Sequence, residues 1–152
     1  MIQRVQTLFL LGAVTFLVLM LFLPLAEITT TGAVAYTALS GGLQTEAGDI
    51  VFSTLPVFIL VLVTAGLLFV SIFFYKKRKL QIRFCVYGII LGFGLMGLLY
   101  YYWVVMFRQL DVDSYWIRIP VVFPVVSIIF TYMAFRGIRR DEILVRSLDK
   151  IR

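Results

Sequence analysis

The chain predicts an all-α membrane protein, a four-helix transmembrane bundle with both termini inside, on three observations. Of its 152 residues, 62% are apolar and 14% charged, whereas soluble domains run at about 45–50% and about 25%. Four apolar stretches, at about 8–26, 50–75, 84–107 and 117–135, each reach the length of about 20 residues needed to cross a bilayer. Between the second and third lies a knot of five cations within eight residues: Lys76, Lys77, Arg78, Lys79 and Arg83. Each Lys or Arg at mid-membrane costs about 2.5–3.5 kcal/mol, so the knot stays cytoplasmic and orients everything else. Four spans of that length leave only short connections, which makes residues 1–152 one membrane domain.

The first stretch follows a start with one cation, Arg4, and is interrupted only by Gly12, Ala13, Thr15 and Pro24. A cleaved signal peptide opens the same way. The apolar run here is longer than a signal core, and Pro24 stands where cleavage needs a small residue, so the stretch reads as a retained span. The connection 27–49 holds Glu27, Glu46 and Asp49 but no Lys or Arg, which marks it as exported. Residues 28–39 are β-prone on both sides of Gly32, compatible with a short hairpin, and Ser40, Gly41 and Gly42 read as a turn. A solvated connector accounts for this composition more simply than a binding cap.

The second span, 50–75, has Asp49 placed to cap it and Pro56 in its opening turns, where a missing amide does least harm. In the third, 84–107, Gly88 and Gly92 fall about 40° apart on a helical wheel, while Gly94 and Gly97 form a second pair on nearly the opposite face. Small residues let neighbouring backbones approach inside lipid, so both pairs are expected to pack helices. Tyr100, Tyr101, Tyr102 and Trp103 suit the headgroup level.

The second exported connection, 108–118, balances Arg108 and Arg118 against Asp111 and Asp113. The fourth span, 117–135, opens with Pro120 and Pro124, which predicts an irregular first turn. The tail, 136–152, places Leu144, Leu148 and Ile151 on one stripe and Arg139, Arg146 and Lys150 on another. That predicts an amphipathic cytoplasmic helix flush with the inner leaflet, with Glu142 and Arg146 spaced for a supporting ion pair.

Of the fourteen cations, one precedes the first span, five form the knot, six lie in the tail and two are in the second exported connection. This asymmetry predicts a multi-pass protein of a bacterial inner membrane with both termini cytoplasmic. The net charge of +6 is concentrated at span boundaries, which points to anionic lipid headgroups and not to nucleic acid. With one cysteine, Cys85, and no histidine, neither a disulfide nor the usual zinc or haem ligation is available. The span interiors carry no ionisable residue apart from tyrosine and Cys85, no phosphate loop and no nucleophile with a base. No catalytic residue, cofactor or metal is expected.

Three segments sit on the inner face: 1–7, reading MIQRVQT; 78–83, reading RKLQIR; and 139–152, reading RRDEILVRSLDKIR. They resemble the opening, middle and closing motifs of a small family of uncharacterised four-span inner-membrane proteins of Bacteroidota. The resemblance implies a topology and an envelope without an assigned activity. The residues themselves suggest a plate in which Gln3, Arg4, Gln6, Gln81, Arg83, Asp141 and Glu142 meet through hydrogen bonds and ion pairs. With Lys76, Lys77, Arg78, Lys79, Arg139, Arg140 and Arg146 they form a docking face for headgroups and for a membrane or cytoplasmic protein partner. The reading is a non-catalytic accessory or scaffold subunit. The alternative is a small oligomeric transporter or channel for a neutral or hydrophobic substrate, for which Thr64, Ser71, Ser127 and Thr131 would have to line a wet path.

Overall fold

The structure, a computed structural model, describes residues 2–30, 34–45, 47–75, 77–110 and 112–149, with the side chains of 2–4 and 146–149 excepted. Four long helices, α1 (Ile2–Phe22), α2 (Leu55–Phe73), α3 (Arg78–Gln109) and α4 (Phe123–Asp149), pack side by side. Each is long and apolar enough to cross a membrane. Five short strands join them into something other than an all-α fold: β1 (Ala26–Thr30), β2 (Ala35–Leu39), β3 (Gly42–Thr45), β4 (Ile50–Ser53) and β5 (Val112–Ile117). All neighbouring strands are antiparallel, in the order β4-β3-β2-β1-β5. The sheet caps the end of the bundle opposite the start of α1 and the close of α4.

Several expected boundaries move, each for a local reason. The first helix stops at Phe22 because Pro24 supplies no amide and biases Leu23 away from helical angles. The chain beyond it becomes β1, whose Ala26 and Ile28 are fully buried. In place of a solvated connector, the described residues form β1, β2 and β3, paired antiparallel in sequence, with Ser40 and Gly41 turning β2 into β3; Gly32 lies outside the described residues. Residues 50–53 belong to β4 and not to the second span. Pro56 sits in the first positions of α2, and Thr54 precedes the helix. Asp49 does not cap α2. Its amide donates to Thr45 Oγ1 at 3.2 Å within the β3–β4 turn, where Gly48 holds a φ of 88°. Only glycine adopts that angle without strain.

The cationic knot does not interrupt the third helix but begins it, since Arg78, Lys79 and Arg83 all lie on α3. The irregular start expected for the fourth span is a 3-10 turn, Ile119–Val122, with Pro120 buried at its opening. The tail is no separate surface helix either. α4 continues through Gly137 to Asp149 in one piece, and α1 lies so close to it that a Cβ at Gly137 would be 3.0 Å from Gln6 Cγ. Of the wheel's two stripes, Leu144 is exposed, and the side chains of Arg146, Leu148, Lys150 and Ile151 lie outside the described residues.

The bundle core is formed by Leu10, Leu17 and Met20 of α1, Val61 and Leu68 of α2, Leu95 of α3 and Ile138 of α4, among others. Three ring pairs tie α1 to the rest of one side: Phe9–Phe130, Phe16–Phe123 and Phe16–Phe130, with centroids 6.0, 5.2 and 5.7 Å apart. In lipid such packing, and not expulsion of water, supplies most of the attraction between helices. Gly88 and Gly92 serve it: an added Cβ would lie 2.6 Å from Leu68 Cδ2 on α2 and 2.7 Å from Ile128 Cγ1 on α4. The single pair thus contacts two neighbours. Gly94 and Gly97 differ from expectation, as a Cβ at either meets no atom within 4 Å.

A second, smaller core lies beneath the sheet. There Ala26, Ile28, Ala38 and Leu43 bury with Met106, flanked by Trp103, Phe52 and Tyr36. The aromatic run is divided accordingly. Tyr100 and Tyr101 are exposed, whereas Trp103 stacks edge-on with Tyr115 of β5 and Tyr102 with Phe52 of β4. Arg118 finds its partner in Glu27 of β1 and not in Asp113, because the β1–β5 pairing sets it beside that strand. Asp111 lies outside the described residues.

Candidate functional site at the polar end of the bundle

Helix ends in a bundle bring together residues far apart in sequence, and the polar end here combines α1, α3 and α4. Gln6 Nε2 donates to Asp141 Oδ2 at 2.8 Å, and both residues are buried. Arg78, on the first turn of α3, donates from Nη1 to the backbone carbonyl of Asp141 at 3.2 Å. One aspartate position thereby fastens three helices. Gln81, one turn further along α3, is buried as well. A buried polar group without a partner costs about 1–3 kcal/mol, which gives this arrangement a structural role.

The remaining residues of the anticipated docking face are distributed differently. Lys77, Lys79 and Arg83 are exposed on the α2–α3 side, Arg139 and Arg140 are exposed on α4, and Glu142 is half-buried. Lys76 and the side chains of Gln3, Arg4 and Arg146 lie outside the described residues, and the Glu142–Arg146 pair with them. The bonded part of the plate is therefore Gln6, Arg78 and Asp141, with Gln81 buried on α3 and cations exposed around them.

One member was missed in the sequence. Arg136 joins Arg139 and Arg140 around a shallow concavity floored by Tyr132, Phe135 and Ile143. Residues 132, 136, 139, 140 and 143 follow the i, i+3, i+4 spacing of a single helix face, a signal available beforehand but eclipsed by the grouping of 139–152 as one motif. Three guanidiniums beside an aromatic floor suit a phosphate or carboxylate, to which Arg offers paired donors.

The hydroxyl residues that a wet path would need are buried inside the bundle. Thr64, Ser71, Ser127 and Thr131 are all at most 3% exposed. Thr64 donates to Leu60 O at 2.7 Å and Thr131 to Ser127 O at 2.8 Å, each within its own helix. Among the described residues, no three Cys, Asp or Glu side chains gather as a metal site would require.

The family profile described as domain of unknown function (DUF4293) matches residues 2–151, and the chain belongs to that family. No curated protein matches it.

Proposed function

We propose that this family member is a four-span protein of a bacterial inner membrane, with both termini and the α2–α3 turn in the cytoplasm. It acts as a non-catalytic accessory or scaffold subunit whose cationic end docks on anionic groups of the inner leaflet or of a protein partner.

The observation that carries the reading is how charge is divided at that end. One acid and one amide interleaved with the cations, Asp141 and Gln6, bond to each other inside the chain, with Arg78 on the Asp141 carbonyl. Exposed there are the cations Lys77, Lys79, Arg83, Arg136, Arg139 and Arg140, with Glu142 half-buried among them. Each cation near an anionic membrane surface contributes about 1 kcal/mol, so the group biases both orientation and docking. The burial and intrahelical bonding of Thr64 and Thr131 favour this reading over an oligomeric channel or transporter, which needs polar groups facing a path.

A photocrosslinking residue introduced at Lys79 or Ile143 in native membranes tests it. Adducts to anionic phospholipid or to one discrete protein are expected, and their mass separates the two sources. In the triple variant Arg136→Gln, Arg139→Gln, Arg140→Gln, adducts at Ile143 fall by at least about tenfold, since three cations at about 1 kcal/mol each are removed. Unchanged adducts in the triple variant would contradict docking through charge.

A further inference from the structure

Beneath the sheet lies a cavity of about 280 Å³ that the polar-end reading leaves unused. Its walls come from three layers: Ala38 and Leu43 from the sheet, Val57 from the start of α2, and Leu99 and Met106 from α3. Ala38 leaves room there, because its side chain ends at Cβ.

The chemistry of the walls restricts the occupant. Thr54 is the lining residue whose hydroxyl faces the sheet, and that hydroxyl already donates to Ser40 O at 3.0 Å, with Leu39 O at 3.4 Å. A water needs about two to four polar partners to settle in a buried site. Besides Thr54, only Tyr100, Tyr102 and Trp103 among the lining residues carry polar side-chain groups, too few to replace the hydration of an ion. The walls accept hydrocarbon.

Depth identifies the source. The exposed lining residues, Met96 at 37%, Tyr100 at 73% and Ile117 at 58%, mark where the cavity opens. At 1.5 Å per residue, Met96 and Tyr100 lie about 18 and about 24 Å along α3 from Phe84, the first residue after the last cation of the knot. A hydrocarbon core about 30 Å thick places both within the leaflet on the sheet side, so the mouth opens sideways toward acyl chains and not toward bulk water. The volume is at the small end of ligand pockets, which begin at about 300 Å³, and suits part of one chain and not a whole lipid.

We propose that this cavity is a binding site for a single acyl chain of a membrane lipid, entering between Met96 and Tyr100 of α3 and ending against Ala38 beneath the sheet. The proposal rests on the membrane-spanning reading but not on the polar end or on which compartment each end faces.

The test uses the full chain reconstituted in phosphatidylglycerol–phosphatidylethanolamine nanodiscs containing a phospholipid with a diazirine near the end of one acyl chain. After illumination, adducts are mapped by peptide mass spectrometry. Labelling is expected on lipid-facing Ile59, Phe69 and Ile90, and also on the β2–β3 segment and Val57, which bulk lipid does not reach. Ala38→Phe fills the site and lowers labelling of the β2–β3 segment and Val57 by at least fivefold while leaving Phe69 unchanged. Leu99→Trp provides an independent filling variant should the first fail to fold. Labelled Ile59, Phe69 and Ile90 with an unlabelled β2–β3 segment overturns the cavity proposal alone. Labelling of that segment that persists in a folded filling variant overturns it too. No labelling of the three lipid-facing residues overturns the membrane reading with it.

Discussion

Gln6 on the second turn of α1 donates a 2.8 Å hydrogen bond to Asp141 on α4, across 135 positions of sequence, with both residues buried. Together with the Arg78 bond to the same aspartate's carbonyl, it closes the polar end of the bundle. Replacing Gln6 by Leu leaves the carboxyl group without its donor and should cost about 1–3 kcal/mol. Thermal unfolding in detergent of Gln6→Leu, Asp141→Leu and the double variant measures this. The double variant should be more stable than the sum of the two single losses implies, because no orphaned group is left in it.

The glycines of α3 should divide sharply. Gly92→Ala drives a methyl to 2.7 Å from Ile128 Cγ1, close to a stiff β-branched stem, and should cost about 1–3 kcal/mol. Gly88→Ala meets the tip of Leu68 at 2.6 Å and should cost somewhat less, since the tip can swing. Gly94→Ala and Gly97→Ala meet open space and should be neutral or stabilising by up to about 1 kcal/mol through helix propensity. Unfolding midpoints of the four variants provide the comparison.

Thr54 ties the β2–β3 turn to the start of α2 through its hydroxyl, and its amide donates to Gly41 O at 3.2 Å. Thr54→Ala should lower stability by about 1 kcal/mol and speed hydrogen exchange within residues 39–43, with little change in α4. Equal protection of that segment in both proteins would show that the hydroxyl is not what holds the turn.

Arg118 and Glu27 form an ion pair between the end of β5 and β1, yet each side chain is about half exposed, at 51% and 45%. Solvent screens such a pair, so Glu27→Gln should change stability by less than about 1 kcal/mol. A larger loss, measured at two salt concentrations, would mark the pair as holding the sheet together.

The helices were legible because a bilayer demands a length and an apolar composition that little else in a sequence imitates. The sheet was legible only in part. Residues 28–39 carried the local signal of a hairpin, but Ile50, Val51 and Phe52 are as apolar as a span, and only Pro56 shortly after them indicated that the helix begins later. β5 pairs with a strand more than eighty positions away, and no local pattern announces such a partner. At the polar end, Gln6, Gln81 and Asp141 stood out as polar residues among cations, while the pairing of Gln6 with Asp141 depends on how α1 meets α4. The cavity beneath the sheet left no mark in the sequence, since it is walled by residues of the sheet, α2 and α3 that only the fold brings together.

The side of the membrane that the cationic end occupies decides the proposed topology and the docking role together. Ala47 and Lys77 are both exposed, at the sheet end and the polar end respectively, and the native Cys85 is buried. Ala47→Cys and Lys77→Cys variants, treated in intact spheroplasts with a membrane-impermeant maleimide, measure this directly. The account predicts labelling of Ala47→Cys in intact spheroplasts and of Lys77→Cys only after permeabilisation; the reverse pattern would contradict it.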